Sequence, residues 1–113
     1  MSACIYCIEN IKNNHCYIGQ TVNFKTRIQK HFYELSKGAH CNIILQRAFD
    51  KYGKENFQAY IVEEITNYST IGEREKYWIE FYQSFKYGYN ATLGGDGTPY
   101  LDYDLIAATY KEL

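Results

Sequence analysis

Two phenols, a guanidinium, an imidazole and a carboxylate stand out in this 113-residue chain. Tyr6 and Tyr17 occupy neighbouring strand-like segments, Arg27 and His31 lie four residues apart, and Glu75 sits in a later helical segment. Taken singly, each has an ordinary explanation. A strand tyrosine usually packs its ring and leaves its hydroxyl at the surface, a helical arginine or glutamate is usually solvated, and a histidine beside Phe32 can simply border the core. The combination says more than any member. Charge is also unevenly spread: residues 11–54 carry eight basic against two acidic residues, a net +6, whereas residues 55–113 carry a net −6, although the whole chain is −1. A basic surface that attracts phosphate can therefore accompany an acidic segment available for metal chemistry.

The cysteines offer a different chemistry. Cys4 and Cys7 have the spacing of a metal knuckle, and His15 with Cys16 would complete a four-ligand zinc set. The intervening Ile5-Tyr6 is strand-like and lacks turn chemistry, and residues three apart on a strand point to opposite faces. Buried, reduced thiols are the expectation, and no disulfide is assigned. The start Met1-Ser2-Ala3-Cys4 has neither the basic lead nor the apolar stretch of an export signal, and no apolar run is long enough to span a membrane. An intracellular protein with no membrane partner is expected. Its 46% hydrophobic content and single proline suit one small folded domain.

The elements that must position these groups follow from pattern. Residues 3–9 and 15–20 are strand-forming and flank an asparagine-rich turn, which predicts a β-hairpin with Tyr6 and Ile8 on one face and Ile5 and Cys7 on the other. Asn23 is a candidate N-cap for a helix running to Lys37-Gly38, with Phe24, Ile28, Phe32 and Leu35 as its apolar stripe and Arg27 and His31 on an adjoining face. A second helix is expected from about Asn42 to Tyr52, with Ile43, Ile44, Ala48 and Phe49 apolar. Residues 57–65 form a third strand, and a third helix runs from Ser69 or Thr70 to about Gln83 on Ile71, Tyr77, Trp78, Phe81 and Tyr82. The fold class is α/β (α+β), a small three-stranded antiparallel sheet flanked by helices. One domain over 1–93 precedes a linker-like tail over 94–113, in which residues 103–113 have the pattern of a short helix.

These residues together resemble the GIY-YIG nuclease family, above all the catalytic domains of phage intron-encoded homing endonucleases. Ile5-Tyr6 and Tyr17-Ile18-Gly19 match the two halves of the signature. Arg27 with His31, Lys37-Gly38-Ala39-His40, Leu45-Gln46-Arg47-Ala48-Phe49, the Glu73-Arg74-Glu75-Lys76-Tyr77-Trp78-Ile79 helix and Gly88-Tyr89-Asn90 follow in order. The resemblance covers about residues 3–95, with one departure: Cys4 stands where the family has glycine, and is small enough to be tolerated.

The resemblance implies a DNA endonuclease that hydrolyses phosphodiester bonds with one divalent metal, Mg²⁺ or Mn²⁺. It implies that Glu75 holds the metal, Arg27 the scissile phosphate, and Tyr6 the role of general base. His31 would accept the phenolic proton or hold the phenol by a hydrogen bond. Tyr17 would orient water or phosphate, His40 lie near the substrate, Asn90 organise the site by hydrogen bonds, and Gly19 permit tight hairpin packing. Glu73 is the competing metal ligand, but two residues along a helix puts it on another face from Glu75, and the order Glu-Arg-Glu-x-x-Trp favours Glu75. One site per chain cuts one strand per encounter, so double-strand cleavage would require a homodimer or two encounters. The rival readings are a non-cleaving DNA-binding or accessory module that keeps the fold, and a protein-interaction domain with a tyrosine-rich surface.

Overall fold

The computed structural model describes residues 3–94; the expected helix over 103–113 lies outside the described residues. The elements are β1 (Ala3–Asn10), β2 (Cys16–Thr21), α1 (Phe24–Ser36), α2 (Ile43–Tyr52), β3 (Phe57–Ile65) and α3 (Ile71–Tyr82), with short 3₁₀ turns at Lys54–Asn56 and Tyr68–Thr70. The strands form one three-stranded antiparallel sheet, as expected, and its order is β2-β1-β3. Asn14 takes the left-handed backbone that lets the hairpin reverse, at φ 64°. Its N–H donates to the Asn10 carbonyl at 2.8 Å.

Strand parity then divides the molecule into two layers. Tyr6 and Ile8 point to one face, where Leu35 of α1 and Leu45, Ala48 and Phe49 of α2 cover them together with Phe57 and Tyr89. Ile5, Cys7, Cys16 and Ile18 point to the other, under Ile71 and Ile79 of α3. Each fully buried aliphatic side chain stabilises the fold by roughly 1.5–3 kcal/mol, so both faces of β1 contribute to the core. Cys4, Cys7 and Cys16 are all buried and joined in no disulfide, and a contact with Cys7, followed by burial, pushes the Cys16 thiol pKa up.

Two helical stripes differ from expectation. On α2, Ile43 and Ile44 are exposed, and the buried face is Leu45, Gln46, Ala48 and Phe49. A glutamine enters because its amide is used in full: it accepts from the His40 N–H at 3.0 Å and donates to the Leu35 carbonyl and to Asp50. On α3, Tyr77 and Phe81 are exposed and the inner stripe is Ile71, Gly72, Glu75 and Ile79. The rotation is set by Glu63 of β3, whose carboxylate accepts from Arg74 Nε and Trp78 Nε1, each at 2.8 Å. Burial acts to raise the Glu63 pKa, but these two donors outweigh it and hold it below the usual carboxylate value. With Arg74 and Trp78 turned toward β3, Glu75 is turned inward and Glu73 faces solvent.

Candidate active site

The Asn23 side chain accepts from the Thr26 N–H and starts α1 immediately after β2, which lays the first turns of the helix across the hairpin. Arg27 and His31, one turn apart, then both reach Tyr6. The Tyr6 hydroxyl lies 2.6 Å from His31 Nε2, and Arg27 Nε–H donates to it at 3.4 Å. Tyr17 completes the cluster, its ring centroid 5.5 Å from that of His31 and 6.4 Å from that of Tyr6. His40 enters from the segment before α2, with its Nε2 2.7 Å from His31 Nδ1 and the two rings within 16° of parallel. The structure thus gathers Tyr6, Tyr17, Arg27, His31 and His40.

The direction of this hydrogen-bond chain is set by the backbone. Asn42 N–H donates to His40 Nδ1 at 2.9 Å, so neutral His40 carries its proton on Nε2 and donates to His31 Nδ1. His31 is left with its proton on Nε2, aimed at the Tyr6 oxygen. Of the two roles expected for His31, holding the phenol is the one compatible with this tautomer. Two donors, His31 and Arg27, therefore converge on one phenolic oxygen and favour negative charge there.

Both imidazoles are held neutral. Burial, then the charge of Arg27, pushes the His31 pKa well below its usual 6.5. Burial lowers His40 to about 4, with Glu34 pulling the other way and Arg27 adding to the fall. On unfolding these groups return toward 6.5, so the unfolded chain binds more protons at acid pH. The His40 contribution to stability is intact above about pH 6.5 and is lost progressively down to about pH 4, by roughly 3 kcal/mol, and His31 acts in the same direction. The urea midpoint is expected to fall between about pH 7.5 and about pH 5, and to fall less in His40→Gln. Equal falls in the two proteins would remove His40 from the account.

Gly19 stands directly opposite Tyr6 in the hairpin register. A Cβ there would meet the Tyr6 hydroxyl and ring, so the phenol lies flat over the one residue type that leaves it room. Asn90 does not enter the cluster. Its Oδ1 accepts from Ile18 N–H at 2.8 Å and its Nδ2 donates to Ile18 C=O at 2.9 Å, which closes the outer edge of β2 as another strand would. The neighbouring Tyr89 N–H donates to the Cys16 carbonyl at 2.9 Å in the same way.

Glu75 approaches β2 from the other layer. It is 8% exposed, and its Oε1 accepts from Gln20 Nε2 at 2.9 Å. Gln20 follows Gly19, so one strand step carries the site from the phenol on one face to the carboxylate on the other. Gly94, at φ 76°, closes against this carboxylate; a Cβ on it would lie 3.3 Å from Glu75 Oε1 and collide with Ile79. Gln20 was not singled out from sequence, and Asn42 and Gln46 were read there only as a helix start and part of a matching block. For Gln20 a signal existed, a polar side chain at the parity of Cys16 and Ile18, which predicts burial.

Residues 2–90 match the sequence pattern of the GIY-YIG catalytic domain. The chain is 43% identical over 98 residues to Intron-associated endonuclease 1 of Enterobacteria phage T4, covering 83% of this chain and 40% of that protein. It is 39% identical over 67 residues to Probable intron-encoded endonuclease 1 of Neurospora crassa, covering 59% of this chain and 21% of the relative. The chain therefore spans well under half of either relative's length. Two solved structures of the catalytic domain of the intron endonuclease I-TevI superpose with a TM-score of 0.75 at 41% identity. One, the catalytic domain of the homing endonuclease, covers 80% of this chain and 98% of its own; the other, a mutant, covers 81% and 95%.

Proposed function

The chain belongs to the GIY-YIG catalytic domain family, and from that premise we propose that it is a divalent-metal-dependent DNA endonuclease hydrolysing one phosphodiester bond per encounter. The nuclease domain would occupy residues 1–93. The observation that carries the reading is the convergence of His31 Nε2–H and Arg27 Nε–H on the Tyr6 oxygen, which supplies what a phenol lacks as a base near neutral pH. Tyr6 Oη takes the proton of the attacking water, which has to reach it past the side chains that bury the phenol. His31 donates to that oxygen throughout, and His40 and the Asn42 backbone keep His31 in the donating tautomer. The planar fork of the Arg27 guanidinium matches two oxygens of the scissile phosphate. Tyr17, half-exposed beside this cluster, orients water or phosphate. The basic 11–54 segment draws the DNA backbone to this face.

The protein groups fit a magnesium-type ion. Glu75 is one buried carboxylate with a hard oxygen donor set, and among the described residues no group of three or more His, Cys, Asp or Glu side chains gathers into a zinc-type cage. Mg²⁺ or Mn²⁺ held by Glu75 would supply positive charge to the phosphoryl oxygens and to the departing 3′ oxygen. Among the described residues no helix is long and apolar enough to cross a membrane, and action on DNA inside a host cell suits the phage origin of one relative. Cutting both strands would take two copies or two encounters.

Incubation with supercoiled plasmid and Mg²⁺ or Mn²⁺ is expected to yield nicked circles, and EDTA to stop it. Salt-sensitive binding with no nicking under either metal would replace this reading with that of a DNA-binding accessory module.

A further inference from the structure

The amide of Gln20 is used at one end only. Gln20 is 3% exposed, its Nε2 donates to Glu75 Oε1 at 2.9 Å, and its Oε1 has no hydrogen-bond partner among the described residues. Exchanging the two ends of the amide does not remove the orphan, because an ionised carboxylate only accepts and so demands the N–H end. The carbonyl is thereby left facing a need. An unmet buried acceptor costs about 1–3 kcal/mol. Within an amide the nitrogen and oxygen are about 2.3 Å apart, so the orphan lies no more than about 5 Å from the Glu75 oxygen. A carboxylate and an amide carbonyl are the ligand types that magnesium and manganese take.

We propose that Gln20 is a second protein ligand to the divalent ion, its N–H end orienting the Glu75 carboxylate and its carbonyl end meeting the metal. The proposal rests on the reading that Glu75 holds the ion. A neutral carbonyl adds an oxygen ligand without a second buried negative charge. Gly94 contributes by keeping its own side of the carboxylate free of a side chain.

The test is Mn²⁺ binding to the DNA-free protein, read from the electron paramagnetic resonance signal of unbound Mn²⁺ at about pH 7.5, with circular dichroism as the check on folding. The parent is expected to bind saturably, and Gln20→Leu to bind about 10- to 100-fold more weakly. Gln20→Glu separates a ligand from a mere orienting donor, because it keeps an oxygen ligand and loses the N–H. It is expected to bind Mn²⁺ at least as tightly as the parent. Gln20→Glu binding as weakly as Gln20→Leu, Gln20→Leu binding like the parent, or a parent with no saturable binding would each overturn the proposal. Parent-like affinity in Glu75→Gln would instead sink the assignment of Glu75 on which it rests.

Discussion

A chain carrying Glu75→Gln is expected to nick plasmid at least about 100-fold more slowly than the parent while keeping its thermal midpoint within a few degrees. The substitution preserves volume, and the new side-chain carbonyl can still accept from Gln20 Nε2, so the α3 to β2 contact survives. What disappears is the negative charge. A neutral amide holds a hard cation far less well, and the phosphoryl oxygens then develop charge without the counter-charge that lowers the barrier. The measurement is single-turnover conversion of supercoiled to nicked DNA across a Mg²⁺ titration, beside a melting curve. Glu73→Gln, altering an exposed carboxylate on the same helix, should leave the rate within about twofold of the parent. Nicking by Glu75→Gln at a parent-like rate would end the role given to Glu75.

Gly19→Ala should be nearly as damaging by a different route. The added methyl would occupy the place of the Tyr6 hydroxyl and ring, and Tyr6 has nowhere to retreat: it is fully buried, with the Phe24 and His31 rings centred 6.2 and 5.6 Å away. Either the phenol swings out of its 2.6 Å contact with His31 or the hairpin opens at this rung. Overpacking of this kind costs about 1–3 kcal/mol, and displacement of a reacting oxygen by about 1 Å is enough for a roughly 100-fold loss of rate. Tyr6→Phe is the comparison, since it deletes the oxygen without crowding. It should lose the rate with little loss of thermal stability, whereas Gly19→Ala should lose both. Parent-like nicking and melting in Gly19→Ala would mean that Tyr6 is not confined as described.

The groups on the phenol side of the site were legible because each belongs to a local pattern. Parity along β1 put Tyr6 on the face opposite Ile5, the four-residue interval put Arg27 beside His31, and the Asn23 cap fixed where their helix begins. The length and type of β3 were equally plain from its strand-forming composition. Side-chain amides were harder. Gln46 is inside because the Leu35 carbonyl of α1 and the His40 N–H, both outside its own helix, bond it beside Asp50, and Gln20 because Glu75 arrives from another layer, 55 residues on. The same limit explains Tyr77 and Phe81, which read as core from their apolar rings. They are exposed because Glu63, on a different element, fixes the rotation of α3 through Arg74 and Trp78.

The clamp of Asn90 on Ile18 bears on how copies of this chain can associate. A bare border strand offers a row of donors and acceptors to any other extended segment and invites aggregation by sheet extension. Here the Ile18 N–H and C=O are occupied by one amide, and the Cys16 carbonyl by the Tyr89 backbone. Two copies of this chain therefore cannot extend the sheet at Cys16 and Ile18. Any pairing of copies of this chain must use surfaces other than this stretch of the border strand.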